Sequence, residues 1–202
     1  MFAKEPLDEF GLIEKYFAPL AGKGGFGLKD DIALLSTENV VSKDVLVSGV
    51  HFFPDDPPDL IARKAVRVNI SDIIAKGAQP YAYMLGLVLT PETDEHWIAG
   101  FAAGLALDQE IFGISLLGGD TTRQSGRGSI VVSLTIFGQA PLSGDIVRRN
   151  GAMPGDYIFV SGTIGDACLG LSVASGKLSL TDAHEQYLLG RYQLPEPRLA
   201  LA

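Results

Sequence analysis

Apolar residues recur at helical spacing near the start of the chain, where Phe10, Ile13 and Phe17, flanked by Leu12 and Tyr16, follow Asp8 and run to Pro19. This predicts a short amphipathic helix with Asp8 as its N-cap. The glycine-rich stretch GKGGFGLKDD from Gly22 reads as a loop and IALLS after it as a strand. The valine-rich, partly alternating VVSKDVLVSGVHFF from Val40 reads as a second strand. PDDPP then interrupts the pattern. From Asp59, DLIARKAVRVNISDIIAKGA places apolar residues on a helical period and stops at Gly77, with Pro80 beyond, so a long helix is expected. Tyr81 to Leu89 is a further strand. Thr93 is placed to cap a helix through Trp97, Phe101, Leu105 and Phe112 to Gly113, and ISLLGGD and GSIVVSLTIFG follow as strands.

The sum is a ββαβαβ order, which predicts an α+β sheet with helices on one face and a right-handed crossover joining at least one pair of strands. Between Pro141 and Pro154 the composition turns polar and glycine-rich. A strand, DYIFVSG, and helices over 167–174 and 182–192 are expected after it. The predicted division is an N-terminal domain over 1–140 and the beginning of a second α/β domain over 141–202.

Composition and the local runs of the sequence add further constraints. With 47% hydrophobic and 20% charged residues in 202, the chain has material for a core and is not disordered. The longest nearly unbroken apolar stretch, Trp97 to Leu107, meets Asp108 and Glu110 well short of the roughly 20 residues that a membrane helix needs, so no membrane partner is expected. The start of the chain lacks the pattern of a signal peptide, and a cytoplasmic location follows as the expectation. Cys168 is the only cysteine, which rules out an internal disulfide and predicts a small buried thiol. The formal charge of −8 repels phosphate backbones, so nucleic acid is not an expected partner. The same acidity suits an enzyme that handles phosphates through divalent cations.

Several familiar patterns fail on context. Gly22, Gly24 and Gly27 satisfy G-x-G-x-x-G, but the order here is helix, loop, strand, whereas a dinucleotide site needs strand, loop, helix. No phosphate-binding glycine-lysine-hydroxyl loop is present. His51, His96 and His184 are scattered, and neither Ser133 nor Ser161 sits in a nucleophile elbow. The aspartates are more informative. Asp30 and Asp31 close a glycine loop, Asp44 interrupts an apolar strand where aspartate is disfavoured, and Asp72 lies on the long helix. Asp120 follows Gly118 and Gly119 and precedes Thr121 and Thr122. Singly, each reads as a turn or solvated residue. Together they form the short-carboxylate, hydroxyl-rich set that a hard cation such as Mg²⁺ selects, and Asp44 and Asp120 are expected in one metal cluster.

The segments DDIALL, SKDVLVSGVHF, VNISDIIAKGAQP, LLGGDTT, RRNGAMPGDYIFVSGTIGDACLGL and LPEPR, in this order, resemble the motifs of the thiamine-monophosphate kinase family. The resemblance runs over nearly the whole chain, and the pair SGVHF and NISDIIAKGAQP is its most specific part. It implies the fold of aminoimidazole ribonucleotide synthetase-related (PurM-like) enzymes, with ATP as co-substrate and several Mg²⁺ ions. It further implies transfer of a phosphoryl group to thiamine monophosphate, and a homodimer whose N-terminal sheets pair into a barrel. Carried over position by position, it makes Asp31, Ser42, Asp44, Asp72 and Asp120 magnesium ligands and His51 a contact of thiamine monophosphate. Gly119, Asp120 and Arg149 become nucleotide contacts, with Arg148 able to replace Arg149. No side chain is implied as a nucleophile.

Three departures stand out. Lys29 replaces a glycine of the turn before Asp31. Lys43 replaces a hydroxyl residue and is expected to point away from the metals or to substitute for one electrostatically. Relatives also continue past LPEPR into further acidic segments, so the chain is expected to be C-terminally incomplete, with Leu169, Leu171 and Leu188 left uncovered. Two other readings share these residues: the same fold acting on a different small substrate with ATP, and a non-catalytic dimerisation or metal-nucleotide-binding module.

Overall fold

A computed structural model describes residues 8–143 and 145–201. Strands β1 (Ala33–Leu34), β2 (Asn39–Val47), β3 (Gln79–Leu89), β4 (Ser115–Arg123) and β5 (Val131–Gln139) form one sheet in the order β1-β2-β5-β3-β4. Only β3 and β4 are parallel, and helix α3 (Glu95–Phe112) connects them, as a parallel pair requires. Helix α2 (Pro58–Ile74) links β2 to β3. The architecture is the α+β sheet expected: all five strands read from the sequence are present, in the order ββαβαββ, whereas ββαβαβ counts only four.

The core lies between α2 and one face of the sheet. Val40, Ser42 and Leu46 of β2 and Val132, Leu134 and Ile136 of β5 alternate into it and meet Ile61, Ala65, Val66, Ile70 and Ile73 of α2. Helix α3 packs along α2 at close range: a Cβ on Gly104 would lie 2.3 Å from the Asp59 carbonyl oxygen. The opposite face carries Lys43, Val45, Ser133 and Phe137, and no helix among the described residues covers it.

Several local expectations change. The first helix is not uniform: α1 (Glu9–Leu12), capped by Asp8 Oδ1 accepting from Gly11 N–H at 2.8 Å, passes into a π-helical turn over Ile13–Phe17 and a 3₁₀ turn over Ala18–Leu20 that contains Pro19. Asp94, not Thr93, caps α3, its Oδ1 accepting from Trp97 N–H at 2.8 Å, while the Thr93 hydroxyl meets Thr90. The second strand ends at Val47, because Val47 to Phe52 folds into a turn in which the Val50 and His51 amides both donate to the Val47 carbonyl.

Beyond the sheet, α4 (Asp166–Ala174) and α5 (Asp182–Gln193) pack on each other and bury Leu188, whereas Leu169 and Leu171 stay exposed. DYIFVSG is not a strand. Tyr157, Ile158 and Phe159 are fully exposed, and no described strand lies beside them to accept their backbone hydrogen bonds. Cys168 is exposed, not buried, because α4 turns its Gly170 side to α5. The pair α4–α5 is tied to the turn before α2 through an edge-to-face contact of Tyr192 with Phe53 and a hydrogen bond from Gln193 Nε2 to Asp56 Oδ1 at 2.7 Å, and to α2 itself through Lys64, whose Nζ lies 3.7 Å over the Tyr192 ring. No described helix is long and apolar enough to cross a membrane.

Candidate active site

Asp30 and Asp31 leave the 3₁₀ turn Lys23–Leu28, in which Phe26, Gly27 and Leu28 all have positive φ. That tight reversal aims both carboxylates back at the end of α2. The Asp30 side chain is 1% exposed. Its Oδ1 accepts from Lys76 Nζ at 2.6 Å and its Oδ2 from Arg148 Nε at 2.6 Å. Asp31 Oδ2 accepts from the same Lys76 nitrogen at 2.6 Å, and its Oδ1 from the Arg149 guanidinium. Burial works to raise the Asp30 pKa, but the Lys76 and Arg148 donors overcome it and hold the group at about 2. Asp31 is lowered in the same way, burial being outweighed by Lys76 and Arg149. Arg148 is further fixed by stacking 3.5 Å over the Phe26 ring.

A second pair of carboxylates faces these two. Asp44 on β2 donates its backbone N–H to Asn69 Oδ1 at 3.1 Å, and Asn69 Nδ2 donates to the Ala65 carbonyl at 2.9 Å. Asp72 lies one turn further along α2. The Ser42 hydroxyl is 2.8 Å from the Asp31 carbonyl oxygen and 2.9 Å from Asp72 Oδ2, so its single proton links loop and helix. Burial pushes Asp72 up to about 6, the Ser42 hydrogen bond acting against it and the Asp44 and Asp31 charges adding to it. Burial also raises Asp44, with His51 opposing and Asp31 adding. Neither Asp44 nor Asp72 has an ion-pair partner among the described residues.

This donor set fits a hard divalent cation. It is all oxygen, from Ser42, Asp44, Asp72 and the backbone of Asp31, and two of its carboxylates repel each other with no basic residue bound to either. No three His, Cys, Asp or Glu side chains among the described residues already enclose one point. A cavity of about 290 Å³ opens over Asp44, Ser71 and Asp72 and is closed by Pro195, Glu196 and Pro197. A second, of about 330 Å³, lies over Asp31, Ser42, Lys43 and Thr135.

Not every expected site residue comes to this place. Asp120 lies within β4, in the row Val45–Ser133–Gly86–Asp120, three inter-strand steps or roughly 14 Å from β2. That row belongs to the face opposite α2, whereas Asp44 faces α2. One chain therefore does not bring Asp44 and Asp120 to one ion. Gly119 must be glycine, because a Cβ there would sit 1.7 Å from the Leu85 carbonyl oxygen. Lys43 points to that far face, against the Ser133 hydroxyl and away from Asp72. His51 stands in the turn after β2. Its Nδ1 accepts from Val47 N–H at 3.0 Å, which leaves Nε2 as a donor, and Lys64 Nζ holds its carbonyl at 2.8 Å. Lys76 and Asn69 were not expected in the site. A lysine just past the C-terminus of a helix is ordinary dipole chemistry, so nothing in the pattern singles it out.

Comparison with known proteins bears on this geometry. The model of the family "AIR synthase related protein, N-terminal domain" matches residues 29–140. The chain is 42% identical to a thiamine-monophosphate kinase of Caulobacter vibrioides over 98% of its own length and 56% of that protein's. It is 41% identical to one of Salmonella typhimurium, over 95% and 59%. Among solved structures, AaThiL complexed with AMPPCP and TMP superposes with a TM-score of 0.86 at 29% identity, over 99% of this chain and 63% of that one. A thiamine-monophosphate kinase from Stenotrophomonas maltophilia superposes with a TM-score of 0.71 at 38% identity, over 86% and 58%. The chain thus spans a little over half the length of the curated relatives that it matches.

Proposed function

The chain belongs to the AIR synthase related protein family, and from that premise we propose that it forms part of a cytoplasmic, magnesium-dependent thiamine-monophosphate kinase. The likeness to thiamine-monophosphate kinases along nearly the whole chain is the observation that carries this reading. The reaction joins a phosphate oxygen of thiamine monophosphate to the γ-phosphorus of ATP while the bond from that phosphorus to the β,γ-bridging oxygen breaks, giving thiamine diphosphate and ADP. Both reactants are polyanions, so the protein must supply position and positive charge more than covalent chemistry.

The residues divide those tasks. Asp44, Asp72, Ser42 and, through its backbone, Asp31 hold Mg²⁺, which supplies charge neutralisation to the phosphates when bound. Arg149, on the rim and more than half exposed, is free to turn from Asp31 to a nucleotide phosphate, whereas Arg148 is committed to Asp30 and Phe26. His51 Nε2 donates to the phosphate of thiamine monophosphate. Asp120 and Gly119 serve the nucleotide side from β4, with any cation at Asp120 distinct from the one at Asp44 within a single chain. The division into domains falls at 140/141. A homodimer pairs the uncovered sheet faces, where Val45, Tyr81 and Met84 leave apolar surface exposed.

The test follows the γ-phosphate of labelled ATP in the full-length protein. Label appearing in thiamine diphosphate, abolished by chelating Mg²⁺, is the expected result. Transfer to another acceptor in preference to thiamine monophosphate would overturn the reading.

A further inference from the structure

We propose that Arg67 is a positioning residue that fastens the Pro195–Glu196–Pro197 segment over Asp44 and Asp72 and so sets the width of the cleft above them. The use of that cleft rests on the functional reading above, but the fastening does not. Arg67 is buried on α2, five residues before Asp72. Its Nε donates to Asp108 Oδ2 at 2.7 Å and its Nη2 to Asp108 Oδ1 at 3.0 Å, a two-pronged grip on a fully buried carboxylate of α3. The remaining edge of the guanidinium, Nη1, donates to the Pro195 carbonyl at 3.2 Å.

Neutralising Asp108 does not need Arg67, because Arg63 Nε already donates to Asp108 Oδ1 at 3.0 Å. A buried ion pair contributes little net stability over apolar packing. What the second arginine adds is direction: Asp108 fixes the plane of the fork, and the fork fixes one carbonyl of the segment beyond α5. Two prolines make that segment stiff, so holding the Pro195 carbonyl also places Glu196 and Pro197. These three residues form the wall of the 290 Å³ cavity that faces Asp44, Ser71 and Asp72. A lysine would keep the charge beside Asp108 but lacks the planar set of donors that reaches both partners.

The chain carries its own reporters. Trp97, on α3, is its only tryptophan, and Cys168, exposed on α4, its only cysteine. Energy transfer from Trp97 to a fluorophore on Cys168 therefore reads the docking of α4–α5 on α2–α3 without further substitutions. In Arg67→Lys we expect a near-wild-type unfolding temperature, lower or broader transfer, and Mn²⁺ affinity at Asp44 and Asp72 weakened about tenfold or more, as the loss of one charged hydrogen bond would give. Arg63→Lys, which touches Asp108 but not Pro195, leaves transfer unchanged. Unchanged transfer in Arg67→Lys, or an equal loss in Arg63→Lys, overturns the fastening. Reduced transfer with unchanged Mn²⁺ affinity overturns its role in setting the cleft. A wild-type chain that takes up no Mn²⁺ would sink the kinase reading instead, with the transfer measurement still deciding the fastening.

Discussion

Lys76→Met removes one cation from between two carboxylates while roughly keeping its volume. The Lys76 side chain is 3% exposed and lies 2.6 Å from both Asp30 and Asp31. Breaking a buried pair costs ~3–5 kcal/mol, and the lower end applies because Asp30 keeps Arg148 and Asp31 keeps Arg149. Linkage sets the scale for all the donors to Asp30 together. Against burial, the Lys76 and Arg148 donors bring Asp30 from 3.8 to about 2. A shift of that size is worth about 2.5 kcal/mol of folding stability. Because the folded pKa is depressed, that stability is complete above the unfolded value and disappears as pH falls through about 2. Urea denaturation in the presence of chelator should show the variant about 3 kcal/mol less stable at neutral pH, with the gap closing in acid. On the proposed reading Mg²⁺ at about 100 times its Kd adds about 2.7 kcal/mol to wild type and variant alike, which is why the comparison is made in chelator. A loss below about 1 kcal/mol, or one that does not change with pH in the acid range, would refute the reasoning.

Cation affinity at the Asp72 site should fall as pH drops through about 6, because a proton then competes for the carboxylate, and calorimetry showing affinity flat into the acid range would reject this. Metal-free stability should move the opposite way: the raised folded pKa makes the protein gain stability as pH falls from about 6 toward 3.8, and melting curves at steps of pH check the sign. Asp44→Asn should weaken Mn²⁺ binding at the Asp72 side by about tenfold or more, whereas Asp120→Asn, roughly 14 Å away, should leave it unchanged; equal losses in monomeric protein would contradict the strand register. Gly104→Ala pushes a methyl to 2.3 Å from the Asp59 carbonyl oxygen and should cost about 2–3 kcal/mol by chemical denaturation. A variant as stable as wild type would show that α2 and α3 can separate there.

Periodicity located all five strands of the sheet and both long helices, because Val, Ile and Leu at two-residue or helical spacing leave little choice of element. It failed where tertiary contacts decide. DYIFVSG has every local property of a strand, yet a strand needs a neighbour, and none of the described strands lies beside it. The run from Phe10 to Phe17 has a helical pattern, but almost none of it is buried, so nothing holds a single regular helix. Asp31, Asp44 and Asp72 were legible as candidates because aspartates beside glycine turns and in apolar surroundings are conspicuous, whereas Ser42 came only through the family resemblance. That Asp44 and Asp120 look to opposite faces was not, since it depends on the register of strands that are neighbours only after folding. Arg67 and Lys76 were invisible for a different reason: a basic residue on a helix or just beyond its end is solvated by default, and only its partners make it a structural charge.

The two halves of the site differ in how their charge is balanced. Asp30 and Asp31 are matched by Lys76, Arg148 and Arg149 within the chain, and their pKa values fall accordingly. Among the described residues no basic side chain is bound to Asp44 or Asp72, and burial raises both. If the chain had been selected only for stability, the unpaired half would be the easier one to relieve, since replacing either aspartate by asparagine removes repulsion and keeps hydrogen-bonding capacity. Retaining two repelling carboxylates beside a pair already neutralised builds a graded field across a few ångströms. Such a field attracts one more positive charge, and it does so on the side facing the cleft. Buried Lys76, bound to both carboxylates, and Arg148, bound to Asp30, keep the loop in place, so Ser42, held between the Asp31 carbonyl and Asp72, keeps its oxygen at the boundary between the two halves. A cation arriving there meets ligands already in place, and on the proposed reading little reorganisation is left for the step in which phosphates must be aligned.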